Sequence, residues 1–512
     1  MEINSKLQEL RDRSKIGGGL ERIEAQHKKG KLTARERIEL LTDPNSFTEI
    51  DSFVTHHCDK FGMDQKKYLG DGVITGYGTI DNRKVFLYSQ DFTVLGGTIG
   101  KAHAQKISKI MDFALKMGCP IIGLIDSGGA RIQEGVDGLA GLGEIFNRNI
   151  QASGVIPQIS VILGTSAGGA AYSPALTDFI IMGGNNAFMF ITGPQVVKSV
   201  MGEDVSFSDL GSSEIHCTTS GICHRAADTE EEALDLVKKL ISYLPSNNLD
   251  DPPHHSQNPI AMDTQLLNDL VPKSENEPYD MKSLIEIIVD QDSFFEIYPE
   301  WAKNIVIGFG RLDNHTVGII ANQPLYLGGA IDCNASDKAA RFIRFCDAFN
   351  IPLLTLVDVP GFMPGIRQEK LGIIRHGAKM LFAYSEATVA KITVIIRKAY
   401  GGAYIVMSSK NLGSDINLAW NSAQIAVMGA ESACKILYRK HLNNAENPDK
   451  LLHDFSEQYK QEFSNPYQVA KQGYLDNVIF PHETREEIIK GLKFLSTKRE
   501  QTPRRKHGIS PV

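Results

Sequence analysis

A single offset of 232 residues lays one stretch of this chain over another, and the coincidences fall on glycine turns. Gly76-Tyr77-Gly78 returns as Gly308-Phe309-Gly310 (308 − 76 = 232), Asp81-Asn82 as Asp313-Asn314, and Leu95-Gly96-Gly97 as Leu327-Gly328-Gly329. Pro120, Leu124, Asp126 and Gly129 map without a gap onto Pro352, Leu356, Asp358 and Gly361. The window from Ile74 to Arg131 holds 15 identities in 58 positions. Average residue usage gives roughly one chance match in sixteen, about four. Such a chain is expected to fold as two copies of one domain, each with a glycine-lined turn in the same place. Two equivalent pockets suit a reaction that joins two similar polar substrates.

A second echo refines the organisation. The segment around Phe47 reappears around Phe294 at an offset of 247, so the first copy holds about 15 extra residues (247 − 232) within 51–75. Thr33-Ala34-Arg35-Glu36 has the form of a capping box opening a helix. In each copy short apolar runs, Ile121 to Ile125 and Leu353 to Val357, follow helix-spaced stretches over 100–117 and 336–349. Strand, helix, strand at this pitch implies an α/β fold with a largely parallel sheet. The proline-rich region 244–279 reads as the join. The expected domains are therefore 1–255 and 280–512, with a linker at 256–279.

Composition narrows the function. A net charge of −7 argues against nucleic acid as a general partner. No apolar run reaches the ~18 residues that span a bilayer, and the first residues lack an apolar signal region, so a cytoplasmic location without membrane insertion is expected. Seven scattered cysteines fit reduced thiols. Cys217 and Cys223 match no zinc spacing, and no metal is expected. The basic tail 498–512 reads as a solvated or subunit-contacting arm.

The chemistry is expected at the glycine turns. Asp126-Ser127-Gly128-Gly129-Ala130-Arg131 follows a predicted strand; it either lets the backbone approach an anionic ligand or is a tight structural turn with Arg131 in an ordinary ion pair. Thr165-Ser166-Ala167-Gly168-Gly169-Ala170-Ala171-Tyr172 follows the strand 159–163. Its counterpart is Ala399-Tyr400-Gly401-Gly402-Ala403-Tyr404, with Gly169, Ala171 and Tyr172 falling on Gly401, Ala403 and Tyr404 at the 232 offset. Small residues at a helix start leave backbone N–H donors uncovered, as an oxyanion hole requires. No phosphate loop of the G-x-x-x-x-G-K-[ST] type, no H-E-x-x-H and no G-x-S-x-G elbow is present. Such a site acts by binding anionic oxygen, with a substrate carrying the proton.

These motifs, together with Phe190-Ile191-Thr192-Gly193-Pro194 and Val357-Asp358-Val359-Pro360-Gly361-Phe362, resemble the carboxyltransferase family of biotin-dependent acyl-CoA carboxylases. The likeness runs from Lys31 to Lys506-His507-Gly508, on the branch that holds propionyl-CoA carboxylase beta subunits. It implies two tandem crotonase-like domains and transfer of carboxylate from N1-carboxybiotin to the alpha carbon of a short-chain acyl-CoA. In that scheme carboxybiotin releases carbon dioxide, the biotin enolate takes the alpha proton, and the acyl-CoA enolate captures the carbon dioxide. It assigns the thioester oxygen to the backbone of Gly168 and Gly169, and the biotin ureido oxygen to Gly402 and Ala403. Gly128, Gly129, Ala130, Arg131, Ala167 and Tyr172 would bind substrate. Gly329, Ala330, Gly401, Tyr404 and Ile405 would complete the binding surface, with Ile405 near the acyl pocket.

The resemblance also implies a hexamer built from dimers and a partner that carries the biotin. Leu115-Lys116-Met117 is not a Met-Lys-Met biotin attachment site, and no ATP-handling segment is evident, so a biotinylated carrier or biotin carboxylase subunit is expected. The four-cysteine zinc ribbon of one bacterial acetyl-CoA carboxylase branch is missing. The same chemistry run backwards, in a methylmalonyl-CoA decarboxylase sodium pump, or exchanged, in a transcarboxylase, stays open. A crotonase-type hydratase would need a carboxylate pair at the first turn, and a non-catalytic CoA-binding scaffold would need one dead turn.

Overall fold

The computed structural model describes residues 2–254 and 259–511. The chain divides into two compact units between Asp250 and Asp251. The boundary expected at 255/256 lies outside the described residues.

In the first unit the main sheet runs Thr48–Ile50, Val73–Ile80, Arg83–Gln90, Ile121–Ser127, Gln158–Ala167, Phe179–Gly183 and Arg225–Ala227, with Phe188–Phe190 pairing aside on Gln158–Ala167. The second unit repeats it with Phe295–Ile297, Ile305–Leu312, His315–Asn322, Leu353–Val359, Lys391–Tyr400, Ile416–Trp420 and Asn477–Ile479, and Gln424–Ala426 aside on Lys391–Tyr400. The first two pairings of each sheet are antiparallel and the others parallel. Every residue of Ile121–Ser127 and Leu353–Val359 is buried. Near-continuous apolar runs of this kind mark parallel strands covered on both faces.

The repeat is exact in the hairpins. Gly76 faces Leu87 as Gly308 faces Ile319, and Phe86 faces Ile121 as Gly318 faces Leu353. Asp81-Asn82 (φ 49° and 62°) and Asp313-Asn314 (φ 53° and 67°) make the left-handed two-residue turns that suit the twist of a hairpin. Asp43 accepts the N–H groups of Asp81 (3.0 Å) and Asn82 (2.9 Å), and Asp290 those of Asp313 (3.1 Å) and Asn314 (2.8 Å).

The helix Ala34–Leu41 begins at the expected capping box, with Thr33 Oγ1 accepting from the Glu36 N–H at 3.3 Å and Glu36 Oε2 from the Thr33 N–H at 2.7 Å. Lys101–Met117 spans its expected range. Cys333–Ala348 starts three residues before the expected 336, because Asp332 caps it through the Ala335 N–H at 2.9 Å. Each unit has its own apolar core. Within 259–279, read from sequence as part of the linker, Leu267 and Tyr279 are buried in the second core.

Candidate functional site: two strand-to-helix amide turns

In the first unit the buried strand Gln158–Ala167 breaks at Gly168, whose φ of 59° and ψ of −128° turn the chain into the helix Gly169–Ala175. That conformation disfavours a side chain. The Gly168 N–H donates to the Phe190 carbonyl at 3.1 Å, so it is already committed. The Ala171 N–H returns to the Gly168 carbonyl at 3.0 Å. The N–H groups of Gly169 and Ala170 are the first of the helix, where the helix itself supplies no acceptor. Of the two, Gly169 is partly exposed and Ala170 is buried. Gly169 also has a packing role, since a Cβ there would lie 2.4 Å from Leu142 Cδ1. Tyr172 is half exposed, with its ring set edge-on to Phe146.

The second unit repeats the turn. Lys391–Tyr400 ends at Gly401 (φ 61°), and the helix Gly401–Val406 follows. Gly402 is exposed, and a Cβ on it would meet nothing within 4 Å. The N–H groups of Gly402 and Ala403 lie in the first turn of that helix, where the helix itself supplies no acceptor, and Ala403 is buried. Tyr404 is partly exposed, its phenol pushed up by burial, and Ile405 is exposed beside it.

The register corrects the matching read from sequence. Ile121 pairs with Gln158 but Leu353 with Lys391, an offset of 233 (391 − 158). The connection between those strands is one residue longer in the second unit. Gly168 thus corresponds to Gly401, Gly169 to Gly402 and Ala170 to Ala403, whereas the 232 offset had placed Gly169 on Gly401. The shared positive φ of Gly168 and Gly401 agrees with this register.

The stretch Gly128–Arg131 leads only into a single 3-10 turn, Ile132–Glu134. The Gly128 N–H donates to the Gly96 carbonyl (3.0 Å) and the Gly129 N–H to Ser127 Oγ (3.1 Å). Ile99 forms a parallel bridge with Ala130, donating to the Gly129 carbonyl at 2.8 Å and accepting from Arg131 at 2.9 Å. The same bonds link Ile331 to Gly361 (3.1 Å) and Met363 (2.8 Å). Gly129 lies against the first turn, since a Cβ on it would stand 2.8 Å from the Ala167 carbonyl oxygen. Arg131 is only 1% exposed, its guanidinium bonded to Asp71 (2.7 Å), Glu134 (2.8 Å) and the Thr98 carbonyl (2.8 Å). It sits in a buried ion pair and faces no solvent. Gly329 (φ 79°) passes close to the Asp358 carbonyl, and the Ala330 carbonyl accepts from Asn304 Nδ2 at 2.7 Å.

Charges that sequence reading missed anchor both strand ends. Asp126 accepts from Lys31 (2.6 Å) and Arg37 (3.1 Å), and Arg37 bridges on to Glu230 (2.7 Å), all four buried. Burial pushes the Lys31 ammonium down, opposed by Asp126. In the second unit Asp358 accepts from Arg397 Nε at 2.9 Å, and Arg397 Nη1 donates to the carbonyls of Ser274 (3.0 Å) and Glu277 (2.8 Å). The Tyr400 hydroxyl donates to Gln424 (2.6 Å), and Lys398 Nζ to the Glu275 carbonyl (3.0 Å). Partners 24 to 193 positions apart in sequence leave no local signal. Among the described residues no three His, Cys, Asp or Glu side chains cluster as metal ligands, and no helix is long and apolar enough to cross a membrane. All seven cysteines are free.

The sequence profile of the carboxyl transferase domain matches residues 25–510. The carboxyltransferase subunit of propionyl-CoA carboxylase from Haloferax mediterranei is 54% identical over 508 residues, covering 99% of this chain and 98% of that protein. The methylmalonyl-CoA decarboxylase subunit alpha of Veillonella parvula is 53% identical, covering 97% and 96% of the two chains. The crystal structure of transcarboxylase 12S, a hexamer with methylmalonyl-coenzyme A and methylmalonic acid bound, superposes with a TM-score of 0.96 at 50% identity, covering 99% of this chain and 98% of that one. The paired crotonase-like α/β halves and the matched amide turns thus sit in a protein of known class: the chain belongs to the carboxyl transferase domain family and is an enzyme subunit of the acyl-CoA carboxylase and transcarboxylase type.

Proposed function

We propose that this chain moves a carboxyl group between N1-carboxybiotin, borne on a partner, and the alpha carbon of a short-chain acyl-CoA, with propionyl-CoA the favoured acceptor. The observation that carries this reading is the pair of matched turns, each opening a helix whose first backbone donors the helix leaves unpaired: Gly169 and Ala170 in one half, Gly402 and Ala403 in the other. Each half is a CoA carboxyltransferase domain, with bounds near 1–255 and 280–512.

The first turn holds the thioester oxygen as negative charge develops on it. Gly168 shapes that turn without donating, and Gly128, Gly129, Ala130, Ala167 and Tyr172 form its wall, braced from behind by Arg131. The second turn receives the ureido oxygen of biotin; the open space over Gly402 fits a group carried in from outside. Carboxybiotin, when bound, supplies the carboxyl group and the basic site that takes the alpha proton. Gly329 and Ala330 support the strand end beneath that turn, while Gly401, Tyr404 and Ile405 border it. Fixed donors aimed at developing charge are typically worth ~100–1000-fold in rate each.

The active form is a homohexamer working with a biotinylated carrier or biotin carboxylase subunit. The decarboxylating direction is supported by the Veillonella relative, whose identity equals that of several carboxylase relatives to within a few per cent. Copurification from native cells with biotin blotting distinguishes them. A soluble ATP-using biotin carboxylase partner supports synthesis, a multi-span membrane partner supports decarboxylation, and recovery of no biotinylated protein overturns the proposal.

A further inference from the structure

We propose that Asp71 is a positioning residue for acyl-CoA turnover, fixing the Gly128–Arg131 loop against the Gly168–Gly169 turn through Arg131. This rests on the reading of that turn as the acyl-CoA side. Asp71 is wholly buried; one carboxylate oxygen accepts from Arg131 Nη1 at 2.7 Å and the other from the His103 N–H at 3.0 Å. Lys106 pins the backbone on both sides of it, through the carbonyls of Gly70 (2.9 Å) and Val73 (2.5 Å). Arg131 carries the constraint onward, its Nη1 bonded also to Glu134 at 2.8 Å and its Nη2 to the Thr98 carbonyl at 2.8 Å.

The other half supplies the control. At the 232 offset Asp71 becomes Lys303 and Arg131 becomes Met363, and three residues beyond Met363 stands Ile366 where the first half has Glu134. The Ala330 carbonyl, matched to Thr98, takes the neutral Asn304 amide instead. Yet the bridge is the same, Ile331 to Phe362 as Ile99 to Ala130. The fold therefore makes this loop without a buried ion cluster. Replacing buried ion pairs by apolar groups is often neutral or stabilising, so stability does not account for the cluster in the first half.

What differs there is the insertion before Asp71, which touches the 3-10 turn directly after that loop, Cys58 Sγ donating to the Gln133 carbonyl at 3.4 Å. Because Gly129 abuts the Ala167 carbonyl just before Gly168, a shift of the loop moves the amide turn directly. Sub-ångström placement of such groups governs rate.

The test is Asp71→Asn in the full chain with its biotin-carrying partner, measured for kcat and for KM on propionyl-CoA and on free biotin separately. The expected result is kcat/KM for propionyl-CoA lowered on the order of tenfold or more, with KM for biotin within twofold and the hexamer intact. An unchanged kcat/KM for propionyl-CoA, or a KM for biotin raised as much as that for propionyl-CoA, overturns the proposal. Should Asp71→Asn fail to assemble, Glu134→Gln is expected to give the same one-sided loss, and an unselective effect there overturns it too. Wild-type protein with no acyl-CoA-dependent transfer would instead sink the functional reading itself.

Discussion

Lys106 and Lys338 occupy matched positions (338 − 106 = 232), are 2% and 1% exposed, and donate to the carbonyls of Val73 and Ile305, the first residues of equivalent strands. Lys338 also holds the carbonyls of Tyr298 (2.9 Å) and Trp301 (2.8 Å). Charge-assisted bonds to these carbonyls compensate for holding a charged side chain in a core. The same arrangement in both halves ties the loop ahead of each strand to the helix behind it.

Burial pushes the Lys338 ammonium down to about 7 and that of Lys106 to about 8. An unfolded lysine titrates near ~10.4. Below pH 7 both states hold the proton and the cost of the buried charge is fully present. Above it the folded state releases the proton while the unfolded state keeps it, so this group's contribution to stability rises with pH until about 10.4. The unfolding free energy of wild type relative to Lys338→Met is therefore expected to grow by about 1.4 kcal/mol per pH unit above 7. Urea titrations at pH 7, 8 and 9 measure it; a gap that stays flat contradicts the assignment.

Gly402 and Gly169 separate chemistry from packing. Nothing surrounds a Cβ at Gly402, so Gly402→Val is expected to fold and assemble normally while losing ~100-fold or more in carboxyl transfer. Normal turnover in correctly folded protein contradicts a role for its amide.

Gly169→Ala drives a methyl group into Leu142, so it is expected to destabilise the first unit by ~1–3 kcal/mol as well as lower activity. Adding Leu142→Ala is expected to restore part of the Gly169→Ala activity by clearing the clash. A double variant less active than Gly169→Ala alone would argue against that contact.

Asp126→Asn leaves Lys31 without its carboxylate and Arg37 with Glu230 alone, all in the interior. Breaking a buried pair this way typically costs ~3–5 kcal/mol, read as a lowered urea midpoint. A midpoint equal to wild type contradicts a tightly coupled network. The carboxyl groups of Asp126 and Asp358 sit on matched strand ends, so Asp358→Asn is expected to weaken the second unit through Arg397 in the same assay.

Much of the architecture is legible because the constraint is local. Gly168 and Gly401 reverse the chain at positive φ, and Asp81-Asn82 and Asp313-Asn314 close hairpins that few other pairs close. Such positions resist substitution after a duplication, so they stand out when the chain is laid over itself. The one-residue difference between Gly169 and its true counterpart Gly402 was not legible, because the longer connection to Lys391 shifts the sheet register without disturbing the glycine spelling.

The amino-acid order alone determined that there are two copies of one α/β domain, where their amide turns fall, and the family whose motifs they carry. Tertiary structure decided that the Gly168 amide is already committed, since it donates to the Phe190 carbonyl. It also set Arg131 in a buried ion pair with Asp71, sixty positions away. Turn geometry is fixed by neighbouring residues and so is written in a short word. Hydrogen-bond occupancy and burial depend on partners that only folding brings within 3 Å or so.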